Sequence, residues 1–265
     1  MSDFRGKQLA ALQAKIAALE ATGRRDAGRL PFGTPEIDSC LPGGGLPLGR
    51  WHEVAGSGME TETGAAPAAF AALIAKPLAY RGEAVWVMRR DDLWAPGLTG
   101  LGFPAERLIC VCAKDDADVL SVAEDALATP GVACVFAEAE EVDLTAGRRL
   151  QLACERRGAT GFVLRRRPYG GARPEAGGSA ATTRWRITSA PSALVANLYL
   201  GPPRFQAVLE RCRGGRTGAW ILEASEGYSP TLCEEAGDVA HPLRLVAPVG
   251  DRELAPATHR IRRAA

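Results

Sequence analysis

Several absences bound this 265-residue sequence before any motif is considered. Neither sign of charge dominates: 32 Lys and Arg stand against 31 Asp and Glu, for a net charge of +1, so bulk electrostatics do not select nucleic acid as a partner. No apolar run approaches the roughly 20 residues of a membrane span. The opening Met-Ser-Asp-Phe-Arg-Gly-Lys has neither the apolar region nor the cleavage site of a secretory leader, and a cytoplasmic chain is expected. The seven cysteines are an odd number with no C-x-x-C spacing, Cys110 and Cys112 being the only near neighbours. That pattern speaks against a zinc site and for reduced, mostly buried thiols. The three histidines, His52, His241 and His259, are scattered, without Ser, Cys or carboxylate partners at informative spacing. No nucleophilic triad or metal cluster is built from them.

What is present is an ordinary globular composition, 46% hydrophobic and 24% charged, in a chain long enough for one large core. Its most informative stretch runs from Gly43-Gly44-Gly45 through Trp51-His52-Glu53-Val54 to Gly56, and on to Thr61-Glu62-Thr63. A glycine turn, a short apolar strand and a glycine at the strand end form the approach to a phosphate-binding loop. A working loop reads G-x-x-x-x-G-K-[ST], because backbone N–H groups wrap the phosphates and a lysine neutralises them. Counted from Gly56, Thr61 takes the place of the second glycine and Glu62 that of the lysine; only Thr63 fits. Two unit charges 4 Å apart interact by about 4 kcal/mol at an effective dielectric of 20, so this exchange turns attraction into repulsion of similar size.

Leu9, Leu12, Ile16 and Leu19 recur at helical spacing, predicting an amphipathic helix stopped by Thr22-Gly23. Residues 1–28 are taken as that helix and its linker, free to pack on its own domain or on a partner. From Leu30 onward the pattern alternates. Strands are predicted at Trp51–Val54, Glu83–Met88, Leu108–Cys112, Val132–Phe136 and Gly161–Leu164, with helices at Pro67–Tyr80, Ala117–Ala128 and Ala146–Arg157. Continuous apolar strands separated by helices predict an α/β fold with a mostly parallel sheet covered on both faces. Tyr169 to Thr183 reads as a mobile loop. Further strands follow at Arg184–Ile187, Phe205–Arg213 and Ala219–Ala224, with Gly214-Gly215 as a turn. The core is thus 29–226, and 227–265 is expected to be an irregular, Pro-rich, charged tail with little core of its own.

The series Phe32-Gly33-Thr34-Pro35-Glu36-Ile37-Asp38, Leu46-Pro47-Leu48-Gly49-Arg50, Glu53-Val54, Ala84 to Leu93, Leu101-Gly102-Phe103, Leu108-Ile109-Cys110 and Asp125-Ala126-Leu127 resembles the RecA recombinase core over roughly residues 30 to 165. The resemblance implies three catalytic positions. The loop lysine is Glu62; the glutamate that activates water is replaced by Arg90; the magnesium-holding aspartate is replaced by Ala137, with Glu138 one residue late. Loss at three separate parts of the machinery argues against phosphoryl transfer, which needs metal and charge neutralisation in place.

With the glycine-rich loop before Arg184-Trp185-Arg186-Ile187 and the segment Leu209 to Arg216, the chain is similar to the ImuA family. That resemblance implies a non-enzymatic subunit, without cofactor, of translesion synthesis in the SOS response, partnered by ImuB, an error-prone polymerase and RecA. Two alternatives stand beside it: a RecA-like ATPase with a displaced loop, using Gly56, Gly58 and Gly64 as cradle and Thr61 or Thr63 on magnesium, and a SulA-like division inhibitor, whose chains are generally shorter.

Arg165, Arg166 and Arg167, then Arg184 and Arg186, fall where RecA proteins carry a DNA-binding loop. A basic segment with Trp185 could contact phosphates and stack on a base; equally, these are strand ends paired with acidic neighbours such as Glu140 and Glu141. Trp51, Trp86 and Trp220 belong to apolar strand patterns and are expected in the core. Trp94, in a turn-rich segment, is the candidate for an exposed contact.

Overall fold

The structure is a computed structural model that describes residues 27–57, 65–166, 180–192, 194–195, 199–225 and 241–248. It is an α/β architecture with a large, mostly parallel central sheet flanked by helices, consistent with a RecA-like core. The strands in chain order are β1 (Arg29–Leu30), β2 (Leu46–Pro47), β3 (Trp51–Gly56), β4 (Glu83–Met88), β5 (Leu108–Cys112), β6 (Val132–Ala139), β7 (Thr160–Arg165), β8 (Thr183–Ala190), β9 (Leu194–Val195), β10 (Tyr199–Leu200), β11 (Arg204–Cys212), β12 (Gly218–Ala224) and β13 (Leu243–Pro248). Nine of them form one sheet in the order β13-β12-β11-β8-β3-β7-β6-β4-β5. The six from β8 to β5 run parallel, and β11, β12 and β13 extend the sheet antiparallel.

Helices α1 (Pro35–Asp38), α2 (Ala65–Ala79), α3 (Ala95–Gly100), α4 (Asp116–Ala128) and α5 (Leu144–Arg157), with a single 3-10 turn at Ala105–Arg107, complete the described elements. Helix α2 is apolar almost all round, as a helix enclosed by core must be, and twelve of its fifteen residues are buried. Its one cation, Lys76, is turned to use: Nζ donates to the Leu101 carbonyl at 3.0 Å, just past α3. Phe70 of α2 packs in one core with Trp86, Phe136, Phe162, Trp185, Phe205 and Trp220 on one face of the sheet. The other face packs Trp51, Val85, Val87, Val135 and Val163 under α4 and α5. Asp115 caps α4 by accepting from the Asp118 N–H, and Asp143 caps α5 by accepting from Ala146, each satisfying a donor the helix start leaves over. Gly158, at φ +80°, ends α5 in the left-handed conformation that glycine adopts without strain.

Three expectations change. Strand β6 continues three residues past Phe136, to Ala139. The predicted 169–183 loop overruns its end, because Thr183 already belongs to β8 and its side chain is buried in a hydrogen-bond network. The segment from 227 is not uniformly a tail: β13 pairs antiparallel with β12, Leu243 is buried, and His241 stacks on Phe32 with ring centroids 4.2 Å apart. The core therefore extends beyond residue 226 to take in 241–248. The predicted N-terminal helix, with Leu9, Leu12, Ile16 and Leu19, lies outside the described residues.

Candidate functional site at the carboxyl edge of the sheet

In an open parallel sheet, ligands sit beyond the carboxyl ends of the strands, and the sequence places its degenerate nucleotide positions there. Strand β3 ends at Gly56, and Ser57 bonds side chain to side chain with Thr188 of β8 at 2.5 Å. The next described element is α2, so strand and helix stand on either side of the candidate loop. Thr61, Glu62 and Thr63, with Gly58 and Gly64, lie outside the described residues.

Arg90, two residues beyond β4, is exposed and approaches the Asp92 carboxylate at 3.8 Å. Its neighbour Arg89 donates to Asp116 at 3.0 Å, and the other Asp116 oxygen accepts from the backbone N–H groups of Glu140 and Glu141. Ala137 is buried on the α4–α5 face. Glu138, the next residue, alternates to the α2 face. A carboxylate is thus kept at this end of β6, one residue late.

That carboxylate is already engaged. Glu138, 4% exposed, accepts from the Trp86 indole N–H at 2.8 Å and from Arg166 at 2.7 Å. From Nη1 and Nη2 Arg166 also donates to the two Asp92 oxygens in a bidentate pair of 2.9 and 3.1 Å, the fork geometry guanidinium favours. Burial pushes the Glu138 carboxyl up, against the opposing pull of Arg166 and Trp86, whereas the Arg166 hydrogen bond holds Asp92 below its ordinary value. The Arg166 guanidinium thus fills the space between Glu138 and Asp92 at the carboxyl ends of β6 and β4. With Arg90 and Ala137 at two of the three catalytic positions the resemblance implies, and Glu138 taken up by Arg166, these residues do not fit magnesium and nucleotide bound in the usual way.

The arginines expected to form one basic patch are divided between the two faces of the sheet. Arg165 and Arg184, on strands flanking β3, both approach Glu53 at 3.4 Å, and Arg186 pairs with Glu210. Arg166 leaves on the opposite face. Arg167 lies outside the described residues. The acidic partners seen for these arginines are Glu53, Glu138, Asp92 and Glu210. Trp185 is 1% exposed with its N–H donated to Thr183 at 2.9 Å, so it is a core residue and not a base-stacking one. Trp51, Trp86 and Trp220 are core as expected; Trp94 is 73% exposed.

Glu53 and Asp92 escaped the sequence reading. Glu53 carried a signal, since a carboxylate inside an apolar parallel strand requires a buried partner. Asp92 carried none, because its partner lies 74 residues away. His52 is structural. Its Nε2 faces the Pro47 carbonyl at 2.9 Å, so that nitrogen carries the proton, and Nδ1 accepts from the Thr183 hydroxyl at 2.8 Å. Burial drives its pKa down to about 4. Among the described residues no three His, Cys, Asp or Glu side chains are grouped to hold a metal ion, and no helix is long and apolar enough to cross a membrane.

No protein-family model matches the chain. It is 56% identical over 246 residues to Protein ImuA of Caulobacter vibrioides, in strain NA1000 / CB15N and in strain ATCC 19089 alike, covering 90% of this chain and 97% of the relative. An identity of that size over nearly the whole of both chains leaves one family assignment: this chain belongs to the ImuA family.

Proposed function

We propose that this ImuA-family chain is a non-catalytic, RecA-like accessory subunit of an error-prone translesion synthesis complex in the SOS response, linking ImuB to the mutagenic polymerase and touching RecA. Family membership implies involvement in damage-inducible mutagenesis. The non-catalytic role is supported by Arg166, whose guanidinium spans Glu138 and Asp92 at the carboxyl ends of β6 and β4. The carboxylate kept at the end of β6 is bound by the chain's own cation. An internal ion pair serves a scaffold well, because it fixes the 89–94 segment across the sheet edge without needing a ligand to order it.

The purified chain is expected to show no ATP turnover above background, with or without single-stranded DNA. Glu62→Lys alone restores none, because Arg90 and Ala137 remain. DNA-stimulated hydrolysis that disappears in Thr63→Ala would overturn the proposal in favour of a displaced-loop ATPase. Co-purification with ImuB from the full-length chain tests the linking role, and its absence would overturn that part.

A further inference from the structure

We propose that β5, at one edge of the nine-stranded sheet, is a self-pairing strand: two copies of this chain join through it, antiparallel, across a two-fold axis centred on Cys110. The inference stands apart from the accessory role proposed above. Among the described residues β5 is the last strand of the sheet and pairs with β4 alone. One hydrogen bond identifies its outer side: the Ala113 N–H donates to the Met88 carbonyl of β4 at 2.8 Å. Successive residues of a strand direct their backbone groups to alternate sides. Ile109, Val111 and Ala113 therefore face β4, and Leu108, Cys110 and Cys112 turn their N–H and C=O groups outward.

Native sheets blunt such an edge with charge, proline or a bulge. Strand β5 has none of these. Leu108-Ile109-Cys110-Val111-Cys112 is uncharged, and its register with β4 runs without a shift. Ile109 is 48% exposed, and Cys110 and Cys112 are exposed with it. The other edge strand, β13, carries Arg244, Pro248 and a register shift against β12.

The strand is also complementary to itself. Outward residues meet outward residues when Leu108 lies opposite Cys112 of the second copy and Cys110 opposite Cys110, each such pair exchanging two hydrogen bonds. That register sets Ile109 against Val111 on the α4–α5 face, a β-branched cross-strand pair. Beyond the strand it brings Glu106 opposite Lys114, both exposed, with Arg107 diagonal to Asp115. Both ends of β5 carry both signs, and the Asp91 charge acts on Cys110 as well, so register rather than net charge makes the fit. A slip by two residues leaves Leu108 or Cys112 without a strand partner and separates Glu106 from Lys114. Backbone and charge are thus satisfied together in one self-register, which selects a second copy of this chain, in an isologous contact that closes at the dimer.

The full-length chain is expected to be a dimer by light scattering at about 0.1 mM, a concentration that populates weak interfaces as well as tight ones. Glu106→Lys and Lys114→Glu each set like charges opposite one another at both ends of the pair and are expected to weaken the dimer roughly tenfold. The double variant restores opposite charges and with them the wild-type affinity. Oxidation by copper phenanthroline in air should trap the dimer through Cys110, because the Cα atoms of a hydrogen-bonded pair lie about 5.5 Å apart, within disulfide reach. That crosslink should survive Cys112→Ser and vanish in Cys110→Ser. All four substituted side chains are exposed, so the fold is expected to withstand each change. A wild-type monomer at about 0.1 mM overturns the inference. So does a dimer indifferent to the charge exchanges, a double variant no tighter than either single one, or a crosslink that requires Cys112.

Discussion

Arg166 is held by two carboxylates of different depth, Glu138 nearly buried and Asp92 about a third exposed. Removing it leaves Glu138 charged in an apolar setting with only the Trp86 N–H for company. Breaking a buried pair from one side costs about 3 kcal/mol, so Arg166→Ala is expected to lower unfolding free energy by that order in urea titrations at neutral pH. Glu138→Gln should cost less, because an amide oxygen still accepts from Trp86 and Arg166 keeps Asp92. The pH dependence separates a charge effect from lost packing. Without its cation Glu138 has a native pKa raised above the unfolded one, so the penalty is present at neutral pH and shrinks as pH falls through that raised value. A deficit of constant size from pH 7 to pH 5 would mean that Arg166 matters through its packed stem.

Elements whose signal is local were legible. Strands β4 and β5 match the sequence reading residue for residue, and α5 ends at Gly158 as expected, because apolar runs, caps and glycines act within one turn. Strand β13 was missed because its reason is distant. Leu243 and Leu245 follow a charged, Pro-rich stretch, and only the open edge of β12 gives them a surface to bury against. The arginines were legible as a cluster in sequence but not in space, since Arg165 at the end of β7 and Arg166 just past it turn to opposite faces. The β13 correction has a measurable consequence. Truncation after residue 226 strips Leu243 and His241 from the core and exposes the β12 edge. Burial of one leucine alone is worth roughly 1.5–3 kcal/mol, and a bare edge invites aggregation. That truncation is expected to lower the melting temperature and solubility, whereas truncation after Pro248 keeps β13 and should preserve both. Equal melting of the two truncated forms would show that β13 contributes nothing.

At the scale of the whole molecule, two buried imidazoles sit far apart in the sheet order, His52 on β3 and His241 beside β13, and both tie distant parts of the chain. His52 joins the Pro47 carbonyl to Thr183. His241 stacks on Phe32 and accepts from the Leu243 N–H at 3.1 Å, so the C-terminal strand is fastened to the start of the core. Burial lowers their pKa values from 6.5 to about 4 and about 3 respectively. Below pH 6.5 the unfolded chain takes up protons that the native chain refuses, so stability is complete above that pH and declines as pH falls toward the native values. Each imidazole contributes about 1.4 kcal/mol per pH unit once the unfolded form is fully protonated. Glu138, pushed up by burial, binds its proton more readily in the native state and offsets part of the loss. Asp92 and Glu223 are held low by their arginines and weigh in only at more acid pH. The expected outcome is a chain that loses stability steadily between pH 6 and pH 5 in urea titrations. His241→Phe keeps a ring against Phe32 but cannot titrate; it should be weaker at neutral pH for want of an acceptor for Leu243, and its decline over this interval should be about 1.4 kcal/mol per pH unit shallower. A slope unchanged in His241→Phe would show that His241 already takes up its proton in the native state, and that the fastening of β13 to Phe32 is open to water.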